Sequence, residues 1–237
     1  GGDRARDLFH QRIKAVRPCA DELQLPLVTL DSNINEILDM NFVITHTYRN
    51  VAAVLALQKL FKTYYYSSGY SLQQFEFNHS DSSHYDVYAL DMLSTNTTKF
   101  FSSGEIYSRV EKTDIVSTHP LSYKYLNVCV AAETNCSRCH KCQRTLVTLD
   151  LLGKLDLYSM VFNLKDYQMH RSKYFGLVLS GRKNDLMKQE IYDAIKQDNF
   201  PIPFGAYVYR YPQTIFQLGV RYCPEFIKRQ YRNLKRH

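Results

Sequence analysis

The chain has 237 residues, of which 45% are hydrophobic, so it can form one sizeable core or a core with a small additional lobe. Its formal charge of +7 is compatible with a nucleotide or RNA partner without requiring one. Gly and Pro number only 9 and 7, which argues against a collagenous or low-complexity chain.

Membrane insertion and secretion are not indicated. The longest uninterrupted apolar run, Val51 to Leu57, is too short to cross a bilayer. No segment has the basic start, apolar stretch and small-residue cleavage site of a signal peptide. We therefore expect a soluble, cytoplasmic protein with no membrane partner. Basic residues at the C-terminus predict a solvated, frayed helix end: Lys228, Arg229, Arg232, Lys235 and Arg236.

The first predicted unit is a helix followed by a strand. Residues 5–25 carry apolar side chains at helical spacing, and Pro18 is expected to kink or interrupt the helix. The apolar run 27–31 predicts a buried strand. Asp31 and Asn33 come at its polar end, where we expect them to contact a ligand. The alternative for Asp31 is that it caps a helix at 33–39.

A second unit repeats this order. Residues 50–62 predict a helix, and 63–66 predict a strand that gives way to Ser67 and Ser68. Alternating helices and strands are typical of a parallel α/β sheet with flanking helices. Ligands of such sheets bind beyond the carboxyl ends of the strands, so we expect both polar ends to lie at one site.

The remaining chain is expected to be mostly helical. Helices are predicted for residues 142–153, 166–179 and 183–196, with Gly153 ending the first of them. We place an approximate domain boundary near residue 155, between an α/β domain (1–155) and a helical C-terminal region (156–237).

Four of the six cysteines form a C-x6-C-x2-C-x2-C pattern: Cys129, Cys136, Cys139 and Cys142. Clustered thiols in a reducing compartment favour metal binding over disulfides. Four thiolates are the preferred tetrahedral ligands of zinc and leave no coordination position open, which predicts a structural ion. It would join a strand at 125–130 to the helix that begins near Cys142. Free thiols, a site in which His140 replaces one cysteine, and an iron–sulfur cluster are the alternatives.

The residues around these cysteines resemble the zinc loop of the 7-cyano-7-deazaguanine synthase family, N-type ATP pyrophosphatases of the PP-loop superfamily. The specific part is the stretch from Asn135 to Leu146, NCSRCHKCQRTL. Five further stretches are similar to relatives of that family, and the resemblance covers about residues 5–155. They are LPLVTLDSN (25–33), His46, YSSG (66–69), LST (93–95) and SRVEKT (108–113).

The resemblance implies a five-stranded parallel sheet of the PP-loop (HUP-like Rossmannoid) type. It also implies cleavage of ATP to AMP and pyrophosphate, with Mg²⁺, while a carboxylate or carbonyl oxygen is adenylated. Arg109 and Lys112 are the basic residues of the matching stretch that could contact a nucleotide or a small carboxylate substrate. The alternative interpretation is that this charged pair lies on a solvent-exposed surface and has no functional role.

The chain departs from the family in one respect. The phosphate loop, SGGxDS, does not occur in this sequence, and Gly1-Gly2-Asp3 resembles it only faintly. We therefore expect a sheet that is incomplete at its N-terminal side and is completed by another chain, a partner copy or a rearranged terminus. The alternative function is a non-catalytic, zinc-stabilised module that binds a nucleotide, RNA or a protein partner.

Overall fold

The computed structural model describes residues 3–130 and 132–210. Gly1, Gly2, Cys223 and the basic C-terminal tail lie outside the described residues. The chain divides into two compact units, residues 1–126 and 127–237. The boundary expected near residue 155 therefore falls inside the second unit.

The first unit contains helices and two strands. They are, in chain order, α1 (Asp3–Glu22), α2 (Ile34–Leu38), α3 (Phe42–Ala56), β1 (Thr63–Ser67), α4 (Asp86–Met92), β2 (Lys99–Ser103), α5 (Arg109–Val116) and α6 (Leu121–Tyr125). The helix expected at 5–25 is confirmed as α1, which runs through Pro18 without a break. The helix expected at 50–62 begins and ends earlier, as α3. Its start is set by the Asn41 side chain, which accepts a hydrogen bond from the Val43 backbone N–H.

The two strands form a parallel pair in which Thr63 lies opposite Lys99 and Ser67 lies opposite Ser103. One face of this sheet packs against α3 and α4, around the buried side chains of Val51, Leu90 and Phe100. The expected α/β class is confirmed. The described residues contain two strands, whereas the resemblance implies five, and the PP-loop topology stays a prediction.

Two expected strands are wrong. Residues 27–31 are irregular, because no neighbouring strand pairs with this run among the described residues. Val28, within this run, is 52% exposed. At 125–130, Tyr125 ends α6 and the residues after it are irregular.

The described part of the second unit is helical, with α7 (His140–Leu151), α8 (Leu164–Gly181) and α9 (Leu186–Gln197). These confirm the helices predicted for the C-terminal half. Both α7 and α9 pack on α8. Gly153 has a positive φ of 67° just beyond α7, as expected for a helix stop. Within the described ranges, none of the helices has the length and apolar character needed to cross a membrane.

Candidate metal centre and strand-end site

The four clustered cysteines converge in the second unit. Their Sγ atoms all lie within 4.8 Å of one another. Three of the Sγ–Sγ distances are 3.5 Å (Cys139 to Cys142), 3.8 Å (Cys129 to Cys139) and 4.0 Å (Cys136 to Cys142). Zn–S bonds of about 2.3 Å in a tetrahedron place the sulfurs about 3.8 Å apart. The cysteines are therefore positioned to hold a metal ion. His140 is not among the converging ligand atoms.

The start of α7 supplies two of these thiols. Cys139 is the residue that caps α7, and Cys142 lies in its first turn with no solvent exposure. The Cys139 backbone N–H donates to the Cys136 Sγ at 3.2 Å, as amides do at metal–thiolate turns. Burial, with the neighbouring Cys139 thiol, raises the pKa of Cys142 above its ordinary value. A bound cation would supply the positive charge that its thiolate form needs.

Two asparagines shape the loop that carries Cys129. The Asn135 Oδ1 accepts hydrogen bonds from the backbone N–H groups of Val128 (2.9 Å) and Cys129 (3.2 Å). The Asn127 Nδ2 donates to the Glu133 carbonyl oxygen at 2.6 Å. In a strand, the N–H groups of residues 128 and 129 would be divided between a neighbour and solvent. Here asparagine side chains accept the hydrogen bonds from both N–H groups. This explains why no strand forms, and it fixes the position of Cys129.

Contacts with α8 and the residue before it hold the loop between Cys136 and Cys139. Ser137 is fully buried and has a φ of 58°, and its Oγ accepts from the Asn163 backbone N–H at 2.9 Å. The Tyr174 hydroxyl donates to the Ser137 carbonyl oxygen at 3.0 Å. The exposed Arg138 side chain reaches the buried Asp166 carboxylate, and its hydrogen bonds hold the pKa of Asp166 below its usual range. The loop between Cys136 and Cys139 is thus fastened to α8 at both Ser137 and Arg138.

A second polar site lies in the first unit, at the residues that follow β1. We call Ser68 and Gly69 the strand-end turn. The Lys112 Nζ donates to the Ser68 Oγ at 2.6 Å, and the Arg109 Nη2 donates to the Gly69 carbonyl oxygen at 2.7 Å. Both cations come from one face of α5, three residues apart. The structure therefore brings together three of the six residues predicted to bind nucleotide or substrate: Ser68, Arg109 and Lys112.

A buried carboxyl group completes this site. The Asp86 Oδ2 accepts from the Gly69 backbone N–H at 3.2 Å, and Asp86 is 2% exposed. Burial raises the pKa of Asp86, although its backbone hydrogen bonds and the nearby Lys112 charge oppose the rise. Gly69 is required here, because a Cβ atom at this position would lie 2.4 Å from the Ser83 Cβ.

The other three predicted residues are placed differently. Ser67 is exposed at the end of β1, opposite Ser103. Asp31 and Asn33 lie in an exposed, irregular segment instead of at a strand end. The helix expected at 33–39 is present as α2, but the Ser32 Oγ and not Asp31 accepts from the Ile34 backbone N–H, so the expected Asp31 cap is wrong as well. Among the described contacts, neither Asp31 nor Asn33 joins the strand-end turn.

His46 lies between two buried serines close to the strand-end turn. Its Nε2 is 2.9 Å from the Ser83 Oγ, and its Nδ1 is 3.0 Å from the Ser82 Oγ. Asp81 lies 3.5 Å from the same Nε2. Burial lowers the pKa of His46, and Asp81 opposes this shift. Because Ser82 and Ser83 are buried and Asp81 is on the side of Nε2, this is a packed polar core and not a Ser-His-Asp triad.

Sequence reasoning missed several residues that support the two sites. Asp166 could have been found from the N-cap pattern at Asn163, whose Oδ1 accepts from the Asp166 backbone N–H. Asp86 gave no signal, and the YSSG stretch did not reveal why Gly69 is needed, because both roles depend on contacts between segments far apart in sequence.

Comparison of the chain with protein-family models, with curated proteins and with solved structures gave no match.

Proposed function

We propose that Cys129, Cys136, Cys139 and Cys142 hold one structural Zn²⁺ ion. The observation that carries this is the match between the Sγ separations and the edge of a ZnS₄ tetrahedron. Four protein thiolates fill the coordination shell, so the ion has no position for substrate or water. Its role is to hold the loop and the first turn of α7 in one geometry.

The close approach of the sulfurs also favours one ion over a cluster. An iron–sulfur cluster divides its four thiolates among several iron atoms and so keeps the thiolates apart. Sulfurs that all lie within 4.8 Å of one another suit a single ion. Because a single iron ion also accepts four thiolates, metal analysis that reports both zinc and iron is the test.

For the first unit, we propose a nucleotide-binding role in an ATP-pyrophosphatase-like enzyme of the PP-loop class. The supporting observation is that Arg109 and Lys112 converge on the strand-end turn, beyond the carboxyl end of a parallel strand. Cations and turn amides at such an edge suit the phosphate oxygens of ATP. In this role the enzyme would use MgATP to adenylate a carboxylate or carbonyl oxygen before an amide- or nitrile-type bond is formed.

Isothermal titration of the full chain with ATP and Mg²⁺ tests this role. Replacing Lys112 with Met should weaken ATP binding by about tenfold or more, the usual weight of a hydrogen bond to a charged group. Lys99→Met, at an exposed position at the start of β2, is the matched control and should leave binding unchanged. Equal affinity in both variants and the parent chain would contradict the assignment.

One observation favours a non-catalytic binding module instead. Lys112 and Arg109 already donate to oxygen atoms of the protein itself, which is what residues that only stabilise the turn would do. The two roles differ in product formation. Release of AMP and pyrophosphate from ATP with a carboxylate acceptor supports the enzyme, whereas ATP or RNA binding without turnover supports the module.

We further propose that another polypeptide segment or a second chain packs on the open face of the sheet. Parallel sheets are normally covered on both faces. Tyr65 and Phe101 lie across from each other on the face that α3 and α4 leave open, with ring centroids 5.9 Å apart. They are 71% and 50% exposed. Light scattering of the parent chain and of Tyr65→Lys tests whether this face joins two copies.

A further inference from the structure

A cavity of about 410 Å³ lies between α2 and α3 of the first unit. Its volume falls in the range of small-molecule sites, roughly 300–1,000 Å³. Its walls are almost entirely apolar and include Ile34, Leu38, Ile44 and Ala52. Among the described residues that line it, Arg49 has the one charged side chain.

Arg49 is buried, and none of the residues that the structure describes supplies a counter-charge. The residue is only 6% exposed. Its Nη2 donates to the Met40 carbonyl oxygen at 2.8 Å, and its Cζ lies 6.0 Å from the centre of the Phe42 ring. Its buried Nε–H has no hydrogen-bond partner, and the described residues give the guanidinium no carboxylate partner.

A buried cation of this kind is costly unless an anion accompanies it. Buried charges in proteins are normally paired, and a buried donor without an acceptor also destabilises the fold. One carbonyl oxygen and one aromatic ring satisfy only part of the guanidinium. Arg49 is also among the residues that line the cavity, although its Nε atom is itself shielded from water.

From this juxtaposition we propose that the cavity beside Arg49 binds a small organic acid, with its apolar body among the α2 and α3 side chains and its carboxylate on the guanidinium. A carboxylate can accept two parallel hydrogen bonds from the edge of a guanidinium that includes Nε. In the present conformation of Arg49, Nε is shielded from water. The guanidinium therefore rotates toward the cavity when the carboxylate binds. The apolar walls select against inorganic anions, which carry the charge without an apolar body.

This site is separate from the two sites described above. It needs neither a bound metal nor a nucleotide, and none of the residues of the strand-end turn lines it. Its failure would leave the zinc and nucleotide proposals untouched, and the reverse also holds.

The test is calorimetric titration of the full chain with phenylacetate and hexanoate, each compared with its own neutral amide. The acids and amides match in shape and differ in charge. We expect at least one acid to bind about tenfold or more tightly than its amide, as one charge-assisted contact provides. No binding of either acid, or equal binding of acid and amide, would overturn the proposal.

Three variants locate the binding. Ala52→Phe fills the cavity from an exposed helical position and should abolish acid binding, while Ala56→Phe, exposed on the same helix outside the cavity lining, should not. Arg49→Met removes the charge and should abolish the preference for acid over amide. Circular dichroism checks that each variant is folded. Acid binding that survives Ala52→Phe would place the ligand elsewhere and contradict the proposal.

Discussion

The Arg138 guanidinium donates two hydrogen bonds to the Asp166 carboxylate, from Nε to Oδ2 at 3.0 Å and from Nη2 to Oδ1 at 2.7 Å. Arg138 lies between the second and third of the four clustered cysteines, and Asp166 lies in the first turn of α8. This two-pronged pairing fixes the orientation of the loop as well as its position.

Asp166→Asn should lower the thermal midpoint of the protein, because it removes the charge that receives both Arg138 donors. Asp156→Asn changes an exposed acid in the same unit and is the matched control, for which we expect little change. Differential scanning calorimetry measures both. Equal midpoints for the two variants would show that the pair does not fasten the loop.

The effect of Asp166→Asn should also depend on pH. The native pKa of Asp166 is depressed, so the carboxylate contributes stability above its unfolded pKa of about 3.9. That contribution is lost as the pH falls through the lower, native pKa. The difference in unfolding free energy between parent and variant should therefore be full at neutral pH and disappear in strong acid.

Cys139→Ser should severely destabilise the second unit, since structural zinc contributes on the order of 10 kcal/mol of apparent binding energy to folding. The matched control is Cys19→Ser, in α1, where the cysteine lies outside the cluster. Loss of helical circular dichroism and of bound zinc in the first variant alone is the expected result. Similar behaviour of both variants would argue that the four thiols are not ligands.

Gly69→Ala should destabilise the first unit by about 1–3 kcal/mol, the usual cost of overpacking. The added Cβ would lie 2.4 Å from the Ser83 Cβ. A second substitution, Ser83→Gly, removes that atom and should recover part of the loss, whereas Ser83→Ala retains it and should not. Urea denaturation of the single and double variants measures the recovery. No recovery in the glycine double variant would contradict the steric explanation.

His46 should make the first unit less stable in mild acid. Burial lowers its native pKa, so the unfolded chain binds a proton at higher pH than the folded one. Its contribution is present above the unfolded pKa of about 6.5 and is lost as the pH falls toward the native value. His46→Gln should flatten this part of the stability profile, whereas His10→Gln, exposed on α1, should leave it unchanged.

The sequence was most informative where local pattern determines structure. The cysteine spacing identified all four converging thiols, because turns of two intervening residues bring sulfurs onto one ion. The spacing of apolar residues identified α1 and α7, and helices were also predicted at the positions of α8 and α9. The strand at Thr63 was also predicted, since its aromatic residues fit a half-buried sheet surface.

The errors occurred where structure depends on partners distant in sequence. The run at 27–31 is apolar enough for a strand, but a strand exists only if a neighbour pairs with it. At Val128 and Cys129 the side chains of Asn127 and Asn135 replace that neighbour, which apolar periodicity does not reveal. Likewise Asp31 and Asn33 followed from a strand that does not form. The cavity beside Arg49 depends on three segments and had no sequence signal.

A bound zinc ion is the most direct consequence of the four converging thiols. Elemental analysis of the purified chain, in which zinc and iron are quantified against protein concentration, tests it. We predict about one equivalent of zinc per chain and no iron, as a single four-thiolate site requires. Less than about half an equivalent of zinc without iron, or iron with sulfide in its place, would contradict a structural zinc ion at these four cysteines.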